Sequence, residues 1–290
     1  MNRAGLVSIS FRQLPPEEIA ALARDAGLAF IEWGSDVHAP PPPASRESAC
    51  PLGPQPPSIP PPPALRESAC PLGPQPLHGA APSDRLRSIA ALTRRAGLAV
   101  SSYGTYFRIG STPLADFPAH LEAASLLGTR IVRAWAGTKS FAAMTADDFG
   151  RLANDAREAA AMAASAGVKL CLECHPNTAT DCPEGTAKLL DAVASPALRM
   201  YWQPNQYHDF DWNMRYLRGI APLVEIAHVF NWRVGQDGKV TRHPLAEASG
   251  TWREYISVLP HGIPLLLEFM PDNRPESLAT ESSSLLSILG

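Results

Sequence analysis

The feature that most constrains the fold is an alternation of short apolar segments with helix-like segments, repeated eight times along the chain. The apolar segments predict strands at residues 5–10, 28–33, 98–103, 129–135, 168–177, 198–203, 223–230 and 263–269. Each is followed by a helical pattern, and several of these helices are predicted to end at a glycine, as at Gly27, Gly97 and Gly167. Residues 104–110 are predicted to form a polar, aromatic loop, and residues 233–245 a hairpin or loop. Strands that alternate with helices in this way predict a parallel sheet.

The number of strand–helix units indicates how the sheet is arranged. Eight units in about 250 residues, after one insertion is subtracted, are typical of a closed (β/α)8 barrel, the TIM barrel. An open, doubly wound sheet of six or seven strands is the alternative, because periodicity does not distinguish a closed sheet from an open one. The sequence therefore predicts one α/β domain over residues 1–290.

A proline-rich insertion interrupts the pattern after the second predicted strand. Residues 40–82 contain 16 of the 30 prolines, and PPPASRESACPLGPQP at 41–56 recurs at 61–76 with Ser45 replaced by Leu65. Two copies are too few for a stacked repeat, and the prolines exclude a helix or a central strand. The pattern predicts a polyproline-like, poorly ordered surface insertion; a proline-motif ligand and a lid over the active site are the alternatives.

Composition excludes several functional classes. A net charge of −3 and an isoelectric point of about 6.2 disfavour sequence-independent nucleic-acid binding, which depends on Lys and Arg. No apolar run reaches the ~18 residues of a membrane span, and Arg12 follows the start too soon for a signal peptide. Five cysteines do not make a disulfide framework. We expect a cytoplasmic protein, either a monomer or a homo-oligomer, with no membrane or nucleic-acid partner.

Polar residues stand at the carboxyl ends of the predicted strands, where parallel barrels carry their chemistry. The second half of the barrel presents Glu, Gln, His and Glu on four consecutive strands, as Glu173, Gln203, His228 and Glu268. Such donors suit a divalent ion such as Mn²⁺, Mg²⁺, Co²⁺ or Zn²⁺. The structural alternative is that a buried glutamate simply pairs with Arg133.

Short motifs at the same strand ends carry a family resemblance. They are IEWG at 31–34, SSYGTYFRIG at 101–110, RAWAG at 133–137, LECHPNT at 172–178, YWQPN at 201–205, HVFNW at 228–232 and LEFMPD at 267–272. With these motifs the chain resembles the xylose isomerase-like TIM barrels, the sugar (or sugar-phosphate) isomerase and epimerase group, along all but the insertion. The endonuclease members of that group carry further His and acidic ligands that are not found here.

The resemblance implies one divalent metal site and an acid/base pair. In the epimerase members the ligands at the ends of strands 5 to 8 are usually Glu, Asp, His and Glu, which fall here on Glu173, Gln203, His228 and Glu268. The two glutamates, Glu173 and Glu268, would also act as the catalytic acid/base pair. Gln203 departs from the pattern, since it brings no charge where the family has Asp, and we expect it to weaken metal binding.

The expected activity is a metal-dependent isomerisation or epimerisation of a small carbohydrate through an enediolate. The remaining polar residues near the strand ends are predicted to contact the substrate: Glu32, Arg108, Trp135, His175, Asn205 and Arg233. Trp135 could stack on a sugar, and Arg108 or Arg233 could anchor an anionic one. The alternatives are a dehydratase of the inosose or dehydroshikimate type, a metal-free carbohydrate-binding protein, and a nucleic-acid phosphodiesterase, which the acidic pI disfavours.

Overall fold

Eight parallel strands close into a barrel in the computed structural model of the chain, which describes residues 2–43 and 81–290. The strands are β1 Ala4–Val7, β2 Phe30–Gly34, β3 Ala99–Ile109, β4 Ile131–Ala136, β5 Lys169–Glu173, β6 Leu198–Trp202, β7 Val224–Val229 and β10 Leu265–Leu267. A separate antiparallel hairpin is formed by β8 Trp232–Val234 and β9 Val240–Arg242. Most of the proline-rich insertion lies outside the described residues, and so does the prediction that it is poorly ordered.

The barrel closes because β1 pairs with both β2 and β10. Ala4 is in register with Leu265, and Gly5 with Phe30; the remaining strands follow one another around the barrel in chain order. The helices are α1 Pro16–Asp25, α2 Pro82–Arg95, α3 Phe117–Leu127, α4 Ala146–Ser165, α5 Pro183–Val193, α6 Phe210–Ile220, α7 Ser249–Val258 and α8 Leu278–Leu289. The predicted (β/α)8 barrel is confirmed, and the open sheet is excluded.

Side chains divide by strand periodicity into an outer core and an inner one. Residues facing outward join the helices in the large core, whereas a smaller apolar cluster fills the interior with Val7, Ile9, Cys171, Tyr201, Ile226 and Leu266. Glu173 stands two residues after Cys171, and His228 two residues after Ile226. Because strand side chains alternate between faces, these polar residues continue the same inward face toward the carboxyl ends of the strands. The apolar cluster is therefore the floor of the polar site.

The third strand is longer than the sequence indicates. Residues 104–110 were predicted to form a loop, but β3 runs from Ala99 to Ile109 with a register shift between Gly104 and Arg108. A Cβ at Gly104 would collide with Oε1 of Glu32 and lie 2.8 Å from Nη2 of Arg133. The glycine therefore leaves room for this charged pair, and the loop prediction was wrong because a glycine that signals a turn here serves a close side-chain approach.

Other local signals agree with the structure. Thr145 and Asp148 form a capping box at the start of α4, and Gly128 ends α3 in a left-handed conformation, with φ 80°. Residues 233–245, predicted as a hairpin or loop, contain the hairpin strand β9. Across residues 2–43 and 81–290, no helix combines the length and the apolar character needed to cross a membrane.

Candidate functional site

A histidine lies at the centre of a polar cluster inside the carboxyl half of the barrel. His228 is fully buried, and its Nδ1 lies 3.3 Å from Oε2 of Glu268 and 3.5 Å from Oε1 of Glu173. Its Nε2 lies 3.7 Å from Oε2 of Glu32. Three of the strand-end carboxylates singled out from the sequence therefore surround one imidazole.

A buried arginine holds two of these carboxylates. Arg133, on β4, hydrogen-bonds Glu173 through Nη1 and lies 3.2 Å from Oε1 of Glu32 through Nε. Glu32 also accepts hydrogen bonds from the hydroxyl of Tyr201 and, at 2.8 Å, from Ser102. The ion pair with Arg133 that the sequence offered as a structural alternative does form. Glu32 therefore accepts hydrogen bonds from three side chains, which hold it in place and stabilise its carboxylate form.

The two glutamates proposed as an acid/base pair have different surroundings. Oε2 of Glu173 accepts hydrogen bonds from Arg133 and, at 2.5 Å, from Nε1 of Trp135. The carboxyl of Glu268 accepts no hydrogen bond from any residue in the described part of the chain and approaches His228 instead. Glu173 is thus stabilised as a carboxylate, whereas Glu268 is buried with little to stabilise its charge.

The pKa directions follow from these contacts. Burial would raise the pKa of Glu173, but the positive charge of Arg133 and the contacts with His228 and His175 together outweigh burial and lower it. Arg133, His228 and Tyr201 together lower the pKa of Glu32 to about 2 in the same way. Burial raises the pKa of Glu268 despite the nearby His228. Burial would lower the pKa of His228, yet the surrounding carboxylates, Glu268 first, raise it to about 10. The surrounding carboxylates therefore favour the imidazolium form of His228 in the metal-free protein.

Two residues at the carboxyl ends of the strands have backbone conformations that non-glycine residues rarely adopt. Phe269, which follows Glu268 directly, has φ 62°, and Asn177 has φ 60°. The backbone N–H of Phe269 donates to the hydroxyl of Ser10 at 2.9 Å. A left-handed backbone conformation is energetically costly for a phenylalanine. It occurs here at the point where the chain passes from the inward-facing Glu268 to Phe269, whose ring lines a cavity.

That cavity lies above the polar cluster, at the carboxyl ends of β5, β7 and β10. Its volume is about 350 Å³, and it is lined by His175, Pro176, Asn177, Gln206, Tyr207, Phe230, Trp232, Val240, Arg242 and Phe269. Three of these follow the cluster along the chain: His175 lies two residues after Glu173, Phe230 two after His228, and Phe269 one after Glu268. A second cavity of about 430 Å³ shares Pro176, Asn177 and Tyr207. Volumes of this order are typical of small-molecule sites.

The fit of a metal ion depends on Gln203. Its buried Oε1 and both ring nitrogens of His228 have no hydrogen-bond partner among the described residues, and unpaired buried polar atoms are costly. Ligands about 2.1 Å from an ion lie about 3.0–3.4 Å from one another, close to the contacts of His228 Nδ1. Nevertheless, within the described ranges no three His, Cys, Asp or Glu side chains form a group that could hold a metal. An ion here would draw on Glu173, His228, Glu268 and the Gln203 carbonyl, and this ligand set stays a prediction.

The structure brings some of the predicted substrate contacts to the cluster. Trp135 hydrogen-bonds Glu173, and His175 lies beside it with ring centroids 5.2 Å apart. Arg108 stacks on Trp135, 4.0 Å from the ring centroid. Asn205 lines the second cavity but is also used locally, since its side chain accepts from the backbone of Tyr207 at 3.0 Å. The substrate contacts predicted for these four residues remain predictions.

Arg233 is exposed on the hairpin, and a different arginine lines the cavity. Arg233 is exposed and pairs with Glu247 at 2.6 Å, whereas Arg242, across the hairpin, lines the cavity. Sequence reasoning did not single out Arg242, because alternation along the hairpin does not show which of its faces meets the cavity. It also missed the role of Tyr201, for which the signal was its position two residues before Gln203 on the same inward face.

The fold resembles that of known enzymes. The probable 3-DHS dehydratase AsbF involved in petrobactin synthesis, from Bacillus anthracis, superposes with a TM-score of 0.71 at 17% identity, covering 99% of each chain. An L-ribulose 3-epimerase gives 0.66 at 14% identity, over 99% of this chain and 94% of the epimerase. A xylose isomerase-like TIM barrel protein from Mycobacterium smegmatis, in complex with magnesium, gives 0.66 at 14% over 100% and 97%. At these identities the likeness shows the fold alone.

Sequence comparison identifies the family. No curated protein matches the chain. The family model described as xylose isomerase-like TIM barrel matches residues 68–286, about three quarters of the sequence. With its closed barrel and strand-end motifs, the chain belongs to the xylose isomerase-like TIM barrel family.

Proposed function

We propose that the protein is an isomerase or epimerase that moves a proton on a small carbohydrate-like ketone through an enediolate. The observation that carries this proposal is that Glu173 and Glu268 meet at Nδ1 of His228, at 3.5 and 3.3 Å, beneath the cavity. Epimerisation or isomerisation needs one group that removes a proton alpha to a carbonyl and another that returns a proton. Two carboxyl groups in unlike surroundings meet that need.

Glu173 is the base in this proposal. Its Oε2 is held by Arg133 and Trp135, which leaves Oε1 to accept the proton. The two donors fix the carboxylate in one orientation, and this lowers the entropy cost of reaching the reactive geometry. Trp135 thereby acts as a positioning residue in addition to any contact with substrate.

Glu268 is the acid. It is buried and lacks the hydrogen bonds that hold Glu173, and burial raises its pKa, so that it is the better proton donor of the two. Delivery of its proton to the opposite face of the enediolate inverts the carbon, whereas delivery to the adjacent carbon exchanges aldehyde and ketone. In the metal-free protein His228, which lies between the two glutamates, would provide positive charge near the developing oxyanion. As a metal ligand it would be neutral, and the ion would supply that charge instead.

A divalent metal fits this scheme as the family cofactor. Glu173, Gln203, His228 and Glu268 would hold it, and the ion would supply Lewis-acid stabilisation of the enediolate oxygens. Gln203 contributes no charge, so that we expect weaker metal binding than an aspartate would give. Of the four metals considered, the magnesium complex of the mycobacterial relative supports Mg²⁺ as the first to test.

A dehydratase is the second candidate. It shares the first proton abstraction but then expels a β-hydroxyl, and Glu268 would protonate that leaving group. The similarity to the probable 3-DHS dehydratase favours this candidate. Product analysis separates the two reactions, because a dehydratase releases water and forms a conjugated product that absorbs in the ultraviolet.

The test is solvent-proton exchange. The protein is incubated in D₂O with Mg²⁺ and a panel of ketoses, ketose phosphates and cyclic keto acids, and deuterium incorporation at the α carbon is followed by NMR. E173Q should lower exchange by about 10²–10⁴-fold, because it removes the base, whereas E268Q should lower formation of the epimer or isomer by a similar factor, since Glu173 alone can exchange the α proton. Glu225 pairs with Lys169 and Arg199 at the amino-terminal side of the barrel, so that E225Q is the matched control. Normal exchange in E173Q, or normal product formation in E268Q, would refute the assignment, and binding without exchange would favour a carbohydrate-binding protein.

A further inference from the structure

The hairpin above the barrel presents one arginine to the cavity and another to solvent. Trp232 is in register with Arg242, and Arg233 with Thr241. Side chains alternate along a strand, and residues directly opposite share a face. Trp232 and Arg242 accordingly both line the cavity of about 350 Å³, whereas Arg233 points away and pairs with Glu247.

Arg242 is a cation without a carboxylate partner. Among residues 2–43 and 81–290, its guanidinium forms no salt bridge, and its side-chain hydrogen bond goes to the neutral amide oxygen of Asn273. The guanidinium lies 3.8 Å over the ring of Phe269, and burial lowers its pKa. By contrast, the neighbouring Arg12 pairs with Asp36 at 2.8 Å. A half-buried guanidinium stacked on an aromatic ring retains donors for a planar or tetrahedral anion.

No residue that lines the cavity carries a negative charge to compete for that guanidinium; the carboxylate that acts on it is Glu268, which does not line the cavity and raises the Arg242 pKa against the effect of burial. None of the ten lining residues is Asp or Glu, and four are aromatic: Tyr207, Phe230, Trp232 and Phe269. Apolar walls strengthen an ion pair by excluding water. Phe269 also links Arg242 to the chemistry, because it follows Glu268 directly and its left-handed backbone places the ring in the cavity.

We propose that the substrate carries an anionic group, a carboxylate or a phosphate, and that Arg242 binds it within the cavity lined by Trp232 and Phe269. This inference rests on the proposed function in one respect: the part of the substrate that reacts must reach Glu173 and Glu268 while its anionic group is bound by Arg242. An anion at Arg242 would orient the carbon skeleton along the Phe269 wall toward the polar cluster. The protein would then act on sugar phosphates or sugar acids in preference to neutral sugars.

Two other cations are the rivals for this role. Arg233 is the anion-binding candidate that the sequence suggested together with Arg108, and Arg108 stacks on the ring of Trp135. Arg108 also donates to the backbone oxygen of Gly137 at 3.4 Å. Lys239, on the same hairpin, has a side chain that is 82% exposed and pairs with Asp237, so that it reports the general effect of removing a positive charge.

The experiment is a calorimetric titration of the full-length protein at low ionic strength with inorganic phosphate, glycolate and neutral glycerol. At least one anion should bind more tightly than glycerol, and the tighter anion identifies phosphate or carboxylate as the recognised group. R242M should weaken that binding by about 10- to 100-fold, the range of one charge-assisted hydrogen-bond pair. K239M should change it less than about twofold.

Several results would overturn the inference: R242M binding like wild type, glycerol binding as tightly as both anions, or loss of binding in R233M or R108M instead of R242M. Circular dichroism of each variant checks that folding is retained, and R242K serves if R242M does not fold, since lysine keeps the charge but loses the fork geometry. Anion binding without proton exchange would leave this inference standing while refuting the proposed function. Exchange on neutral ketoses without anion binding would do the reverse.

Discussion

Replacing Arg133 with methionine tests whether the buried charge cluster holds the site together. The Arg133 side chain is 2% exposed, and its partners Glu32 and Glu173 are 0% and 3% exposed. The variant keeps much of the side-chain volume but leaves two buried carboxylates without their guanidinium. Removing one partner of a buried ion pair costs about 3–5 kcal/mol, a large part of the ~5–15 kcal/mol by which a typical domain is stable.

Equilibrium unfolding in urea, followed by fluorescence of the six tryptophans, measures this cost. With a denaturant slope of about 3 kcal/mol/M, the unfolding midpoint should fall by about 1–2 M. R151M is the matched control, because Arg151 is 66% exposed and pairs with Asp148 on the surface; it should cost less than about 1 kcal/mol.

The double variant R133M/E32Q separates charge from packing. Neutralising Glu32 removes one of the two stranded carboxylates, and the glutamine oxygen can still accept from Ser102 and Tyr201. We expect the double variant to be more stable than R133M, with a coupling energy of about 1–3 kcal/mol. A loss below about 1 kcal/mol in R133M would contradict the interpretation that Arg133 compensates these charges.

Three further predictions follow from the geometry of the site. Q203D should tighten Mg²⁺ or Mn²⁺ binding by at least about tenfold in calorimetry, because it adds a charged oxygen ligand; unchanged affinity would remove Gln203 from the ligand set. In chelator-treated protein, the folded-state pKa of His228 is raised to about 10, so its stabilising contribution is complete below pH ~6.5 and is lost as pH rises through 10; H228Q should flatten the unfolding free energy over that range. G104A should cost about 1–3 kcal/mol by colliding with Glu32, whereas G219A, with no heavy atom within 4 Å of its Cβ, should not destabilise its helix.

Much of the site could be predicted because strand periodicity is a local property. Glu173, His228 and Glu268 each end an apolar strand, and the structure brings all three together. The hydrogen-bond partners could not be predicted in the same way. Arg133 could have paired with several carboxylates, and its choice of Glu32 and Glu173 depends on the barrel radius and on the space left by Gly104.

The same limit explains why the length of β3 and the position of Arg242 could not be predicted. Residues 104–110 contain two glycines and polar residues, which normally signal a loop, but pairing with β4 extends β3 through them. On the hairpin, Arg233 and Arg242 are equivalent in chemistry, and only the register Trp232 with Arg242 determines which one faces the cavity.

The sequence by itself determined the alternation of strands and helices, the inward face of each strand and the residue types at the carboxyl ends, since these depend on neighbours along the chain. Tertiary structure decided that β1 joins β10 to close the barrel, that His228 lies among three carboxylates, and that Arg242 faces the cavity. These features depend on contacts between residues far apart in sequence. Their geometry is fixed only when all eight strands pair, because a single strand specifies the direction of its side chains but not their partners.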